Sequence, residues 1–125
     1  MNLEVTYSWK EFNELSLDDL YAILNLRQKV FVLEQDCPYI DADYSDQDAF
    51  HLLVYNEDKL IAYLRAFPPN KKYEGASIGR IVVEESLRNN SFGKKITKMG
   101  LSFLMEKYPN AEIVISAQHR LEKFY

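Results

Sequence analysis

A chain of 125 residues with 47% hydrophobic content is long enough for one hydrophobic core and too apolar for a disordered polymer. A net charge of −4 argues against a nucleic-acid binder, and a single cysteine, Cys37, excludes an internal disulfide. No apolar run approaches the roughly 20 residues that span a bilayer, and the start, MNLEVTYSWKEF, lacks the basic and apolar regions of a signal peptide, so a reduced, cytoplasmic setting is expected.

Leu3, Val5, Tyr7 and Trp9 alternate with polar residues, which predicts a half-buried strand over 3–9. Ser16 is the expected N-cap of a helix over 17–33, with Asp18 and Asp19 favouring its first turn. Leu17, Leu20, Ile23 or Leu24, Arg27 and Phe31 fall along one side of it. The stretch EQDCPYIDADYSDQD (34–48) is acidic, broken by Pro38 and expected as a loop or irregular arm. Residues 50–67 hold two short apolar runs around Asn56-Glu57-Asp58-Lys59, a hairpin signal. A turn-rich loop over 68–76 leads to a β-branched strand, SIGRIVV (77–83). Residues 92–107 read as a helix with Ile96, Met99, Phe103 and Leu104 on its apolar face, stopped by Pro109. EIVISA (112–117) reads as a strand buried on both faces, and 118–125 as the start of a further helix. No repeat or linker divides the chain, which reads as a single domain, 1–125. The strand–helix–strand run over 77–117 calls for parallel strands, and the whole for a mixed α+β class with a partly antiparallel sheet.

Between strand 77–83 and helix 92–107 lies SLRNNSFGKKI (86–96). The first amides of a helix lack internal partners and carry the positive end of its dipole, so they suit a pyrophosphate. Arg88 adds a phosphate fork, Gly93 allows close backbone approach, and Lys94 and Lys95 extend the positive charge. The same residues also suit a solvated basic helix start, and physics alone leaves both readings open.

GRIVVEESLRNNSFGKKI (79–96) resembles the acyl-CoA-binding segment of the GNAT superfamily of N-acetyltransferases, a strand leading through a [QR]-x-x-G-x-[GA] loop into a helix. Arg88 matches the leading residue and Gly93 the last glycine, while Ser91 and Asn89 stand where glycine is usual or common. LRQKVFVLEQDCPYIDAD (26–43) and SAQHRLEKFY (116–125) are similar to segments of the ElaA-like branch of that superfamily.

The resemblance implies an acetyl-CoA-dependent N-acetyltransferase with no metal, acting on a small amine or peptide amine that attacks the thioester directly. It implies that the backbone of Ile81, Val82 and Val83 binds the acetyl carbonyl and the pantetheine arm. The pyrophosphate is then expected on the backbone of Arg88, Asn89, Asn90, Ser91, Phe92, Gly93 and Lys94. It gives Gln118 a hydrogen bond to the pantetheine and Tyr125 the proton for the departing thiolate; a phenol of pKa about 10 is a workable donor to a thiol of pKa near 8.5. Glu34 stands as general base, as amine-binding carboxylate, or as a solvated arm residue, with Glu84 a weaker candidate base.

Arg27 is read equally as an ion-pair partner of the acidic arm and as a substrate contact. The arm's Asp36, Asp41, Asp43, Asp46 and Asp48 do not form an EF-hand, since Asp46 and Leu52 stand where Gly and Glu are required. They read as a solvated acidic loop or as a lure for a cationic amine. His51 and His119 read as hydrogen-bonded structural histidines, and neither forms metal-ligand spacing with Cys37. Superfamily members continue past the Phe-Tyr helix into two more strands, so strand 112–117 is expected to have an unpaired edge that invites association, a homodimer included. Two other readings are a silent CoA-binding or interaction module and an acyl-homoserine-lactone synthase, which shares an Arg…Val-Phe pattern in its first helix.

Overall fold

The computed structural model describes residues 4–34, 40–117 and 120–124. In chain order it has β1 (Thr6–Glu11), α1 (Leu17–Arg27) continued by a π-helix (Gln28–Glu34), β2 (Phe50–Asn56), β3 (Lys59–Phe67), β4 (Ala76–Val83), α2 (Phe92–Lys107), β5 (Ile113–Ala117) and β6 (Arg120–Phe124). The strands form one six-stranded sheet in sequence order. β1 to β4 are antiparallel neighbours, β4 and β5 are parallel, and β5 and β6 are antiparallel. The expected mixed α+β class and the parallel pair flanking a helix are both present.

Alternation along the strands assigns the two helices to opposite faces. Leu52, Val54, Ala62, Leu64 and Ile78 pack in one core cluster with Phe92, Ile96 and Leu104 of α2. Leu53, Tyr63 and Val82 point the other way and pack with Ile23, Leu26 and Val30. Full burial of each such aliphatic or aromatic side chain is worth about 1.5–3 kcal/mol. Gly100 allows α2 to lie close to the sheet, because a Cβ there would come within 3.0 Å of Ile78 Cδ1.

Ser16 caps α1 as expected: its hydroxyl accepts from the Asp19 amide, and the Asp19 carboxylate accepts from the Ser16 amide. The expected apolar side needs one correction. Leu17 is 86% exposed, while Asp19, Ile23, Leu26 and Arg27 are buried, because the side that meets the sheet begins at Asp19, which accepts from Lys10 of β1 and Tyr55 of β2. The hairpin turns at Glu57 and Asp58, and α2 spans the residues expected for it.

The predicted helix start over 118–125 is wrong for the described part: Arg120–Phe124 is a strand paired along β5, Ala117 with Arg120 and Ile113 with Phe124. A stretch this short cannot offset the cost of helix nucleation, and adding to an existing strand supplies backbone partners at once. The expectation of an unpaired β5 edge falls with it, since β6 occupies that edge.

Candidate active site

The site begins with an extra residue in β4. Tyr63 pairs with Val82 and Arg65 with Gly79, so two steps on β3 face three on β4. This is a β-bulge, and Arg80 carries it in a left-handed conformation, φ 50°. The bulge inverts the strand's alternation: Ala76, Ile78, Ile81 and Val83 all pack toward α2, a spacing that breaks between 78 and 81, while Val82 turns to the α1 side.

The bulge also parts β4 from β5. Their parallel pairing runs from Ala76↔Ile113 to Ile78↔Ile115, short of the bulge. Beyond it, the Glu84 amide donates to the Ile61 carbonyl of β3 at 2.8 Å. By strand alternation, the amides of Val83 and Ile81 then point to the opposite edge, away from β3 and into the gap.

α2 opens beside that gap. Its N-cap, Ser91, is left-handed (φ 61°), and no side chain caps the helix there. The first intrahelical bond is donated by Lys95 to the Ser91 carbonyl, so the amides of Phe92, Gly93 and Lys94 precede the helical ladder. Asn89 and Asn90 close a 3-10 helix, Glu85–Asn90, that joins β4 to this turn. Lys94 and Lys95 are exposed on α2. A cleft of about 470 Å³ is lined by Ile81, Val82, Val83 and Gly93, and by Val30, Glu34 and Arg88.

Two polar side chains close one side of this cleft. Arg88 donates from Nε to the Val83 carbonyl at 3.1 Å and pairs through Nη2 with Glu34 at 2.7 Å. Its guanidinium is therefore turned back to the β4 edge. Glu34 reaches the cleft because the π-helix extends α1 by seven residues past Arg27. Glu84, the weaker candidate base, instead accepts from Ser86 and Lys59, and the Ser86 hydrogen bond, then Lys59, hold its pKa below the usual carboxylate range. Gln118 and Tyr125, like Asp36, Cys37 and His119, lie outside the described residues.

Asp41, Asp43 and Asp46 of the arm are engaged by arginines and so are neither simply solvated nor free to attract a cation, whereas Asp48 is exposed. Arg27, 0% exposed, pairs with Asp41 at 2.9 Å and with Asp46 at 2.8 Å. Arg65 pairs with Asp46 at 2.7 Å and Asp43 at 2.6 Å, and Lys72 adds a further bond to Asp43. Arg80 donates to Asp41 Oδ1 at 2.8 Å and meets Asp43 at 3.4 Å. Burial alone would raise the Asp43 and Asp46 carboxyls, but the guanidinium partners outweigh it and hold both below the usual carboxylate range. The two readings of Arg27 resolve into the structural one, since its ion-pair partners Asp41 and Asp46 both belong to the arm.

Sequence reasoning missed Arg65 and Arg80. The available signal was two arginines inside apolar strands, which must find partners when buried, and an arm rich in aspartate. His51 is hydrogen-bonded as expected. Its Nε2 donates to the Asp46 carbonyl at 2.9 Å, and Nδ1 lies 2.6 Å from the Tyr63 hydroxyl. Burial lowers its pKa, so the ring is neutral and Nδ1 accepts from the tyrosine. Among the described residues there is no group of His, Cys, Asp and Glu able to hold a metal, and no helix long and apolar enough to cross a membrane.

A mixed sheet split at a bulge, with an uncapped helix start beside the split, leaves open backbone donors that suit an anionic group. The chain belongs to the acetyltransferase (GNAT) family, whose pattern it matches over residues 10–125. It is 39% identical over 124 residues to the UPF0039 protein sll0451 of Synechocystis, covering 98% of this chain and 80% of that one. It is 37% identical over 121 residues to protein ElaA of Escherichia coli, covering 94% and 79%. The crystal structure of E. coli ElaA superposes with a TM-score of 0.85 over 93% of this chain and 80% of that one. An acyl-CoA N-acyltransferase from Pseudomonas aeruginosa does so with a TM-score of 0.85 at 32% identity, over 92% and 80%. The protein is an enzyme of the acyltransferase class, in a family that uses acetyl-CoA.

Proposed function

We propose that the protein transfers an acetyl group from acetyl-CoA to the nitrogen of a small amine or peptide amine, by direct attack within a ternary complex. The observation that carries this reading is the gap between β4 and β5: it turns the Ile81 and Val83 amides to an edge that no parallel pairing occupies, beside the open first turn of α2. Donors fixed before the reaction stabilise charge developing on the acetyl oxygen without reorganising during it. Ile81, Val82 and Val83 therefore line the acetyl and pantetheine portion. The backbone of Arg88, Asn89, Asn90, Ser91, Phe92, Gly93 and Lys94 receives the pyrophosphate, helped by the helix dipole.

The ammonium first gives up a proton to Glu34. The neutral amine then forms the N–C amide bond as the C–S bond breaks, the nitrogen sheds its second proton to water, and coenzyme A leaves as a thiol. Glu34 is the carboxylate of this cleft that faces the incoming ammonium, held in place by Arg88. Gln118 supports the pantetheine and Tyr125 supplies the thiol proton. Titration calorimetry with acetyl-CoA, followed by a thiol-release assay over a panel of amines, tests the reading. Acetyl-CoA binding followed by amine-dependent thiol release is the expected result. Binding without turnover on any amine would reduce the protein to a CoA-binding module, and no binding would remove the reading.

A further inference from the structure

Arg80 occupies an unusual position. A glycine is the ordinary residue for a left-handed bulge, because an L side chain disfavours φ near 50°. The chain keeps an arginine there. Its side chain is held on several sides by elements distant in sequence. Nε donates to Asp41 Oδ1 at 2.8 Å, and Nη2 donates to the Asp41 main-chain carbonyl at 3.2 Å and to Asp43 Oδ2 at 3.4 Å. The guanidinium carbon also lies 5.9 Å from the centre of the Phe31 ring, in the π-helix that ends at Glu34. Asp41 is itself fixed, since its other oxygen faces buried Arg27 at 2.9 Å.

We propose that Arg80 is a positioning residue: clamped by Asp41 and Asp43 of the arm, it holds β4 in the left-handed kink that turns the Ile81 and Val83 amides toward the cleft. The clamp offsets a backbone conformation that arginine would otherwise leave. Leaving it would restore regular β4 and exchange the faces of residues 81–83, since one residue of slip reverses every side chain and amide beyond it. The arm thereby sets the geometry of the acyl site from outside it. This inference rests on the cleft being the acetyl-CoA site.

Two substitutions separate the kink from the cation. Arg80→Gly loses the clamp but accepts a positive φ without it. Arg80→Ala loses the clamp and disfavours the kink. Acetyl-CoA affinity by calorimetry is expected to stay within about threefold of wild type in Arg80→Gly and to fall more than about tenfold in Arg80→Ala. In the ligand-free protein, hydrogen exchange at the Ile81 and Val83 amides is expected to follow the same order, unchanged in Arg80→Gly and altered in Arg80→Ala.

Equal behaviour of the two variants overturns the assignment. Equal loss would make the guanidinium itself the requirement, and equal retention would make the kink independent of residue 80. Should Arg80→Ala fail to fold, Arg80→Gly decides: wild-type binding and exchange support the assignment, and loss of either overturns it. If wild-type protein binds no acetyl-CoA, the functional reading fails, and the exchange comparison alone judges Arg80.

Discussion

Replacing Asp46 by Asn tests how the arm is attached. A single carboxylate oxygen, Oδ1, accepts from Arg27 Nη1 at 2.8 Å and from Arg65 Nη1 at 2.7 Å. The two arginine side chains are 0% and 2% exposed. Asn keeps the size and one acceptor but withdraws the negative charge from two buried cations. Breaking a buried pair by removing one partner costs about 3–5 kcal/mol, and the retained acceptor puts this substitution near the lower end, about 3 kcal/mol. For a chain of this length, such a loss lowers the Tm by roughly 10–15 °C. Urea and thermal unfolding at neutral pH measure it, and a loss below about 1 kcal/mol would refute the picture of a desolvated network.

The same substitution has a pH signature. Burial favours the neutral Asp46 carboxyl, but Arg27 and Arg65 outweigh it and hold its native pKa below the unfolded value. A group depressed in this way contributes its full stability above the unfolded pKa of about 4 and loses it as pH falls through the native value. Wild-type stability is therefore expected to drop more steeply below about pH 4 than that of Asp46→Asn.

Three further outcomes concern the cleft. In Gly93→Ala the new methyl meets only Val83 Cγ2, at 3.9 Å, an ordinary contact. Stability is then unchanged or higher by up to about 1 kcal/mol, while acetyl-CoA affinity falls because the methyl enters the cleft; calorimetry and thermal melts read both. Ser91→Gly removes a left-handed cost of about 1 kcal/mol and adds a comparable unfolded-state entropy, so its melting point is equal to or slightly above wild type, whereas Ser91→Val lowers it. Arg88→Ala breaks a pair whose side chains are 41% and 30% exposed, so stability changes by less than about 1 kcal/mol. Acetyl-CoA affinity is expected to change by less than about threefold in that variant, because the guanidinium is turned to the Val83 carbonyl and Glu34 and only the backbone of residue 88 meets the pyrophosphate.

The helix boundaries were readable because their signals are local. Ser16 with Asp19 marks the start of α1 through bonds spanning three residues, and the apolar spacing of Ile96 and Leu104 marks the buried face of α2. Residues 86–96 stood out for the same reason: a glycine and basic residues at a strand-to-helix junction form a short pattern. The misreading of residues 120–124 has the complementary cause. Their local pattern allowed a helix, but the partner that makes them a strand is β5, and its accepting edge exists only once the sheet has formed.

Composition, alternation and capping were enough to determine an α+β chain with a basic, glycine-containing turn after β4, since each depends on neighbours within a few residues. The bulge at Arg80 left no such mark, because an arginine there does not announce a left-handed backbone. Nor did the arm's aspartates reveal whether they face water or arginine. That choice rests on ion pairs between residues up to 39 positions apart, and a charge can be desolvated favourably only where the folded sheet brings its partner within hydrogen-bond reach.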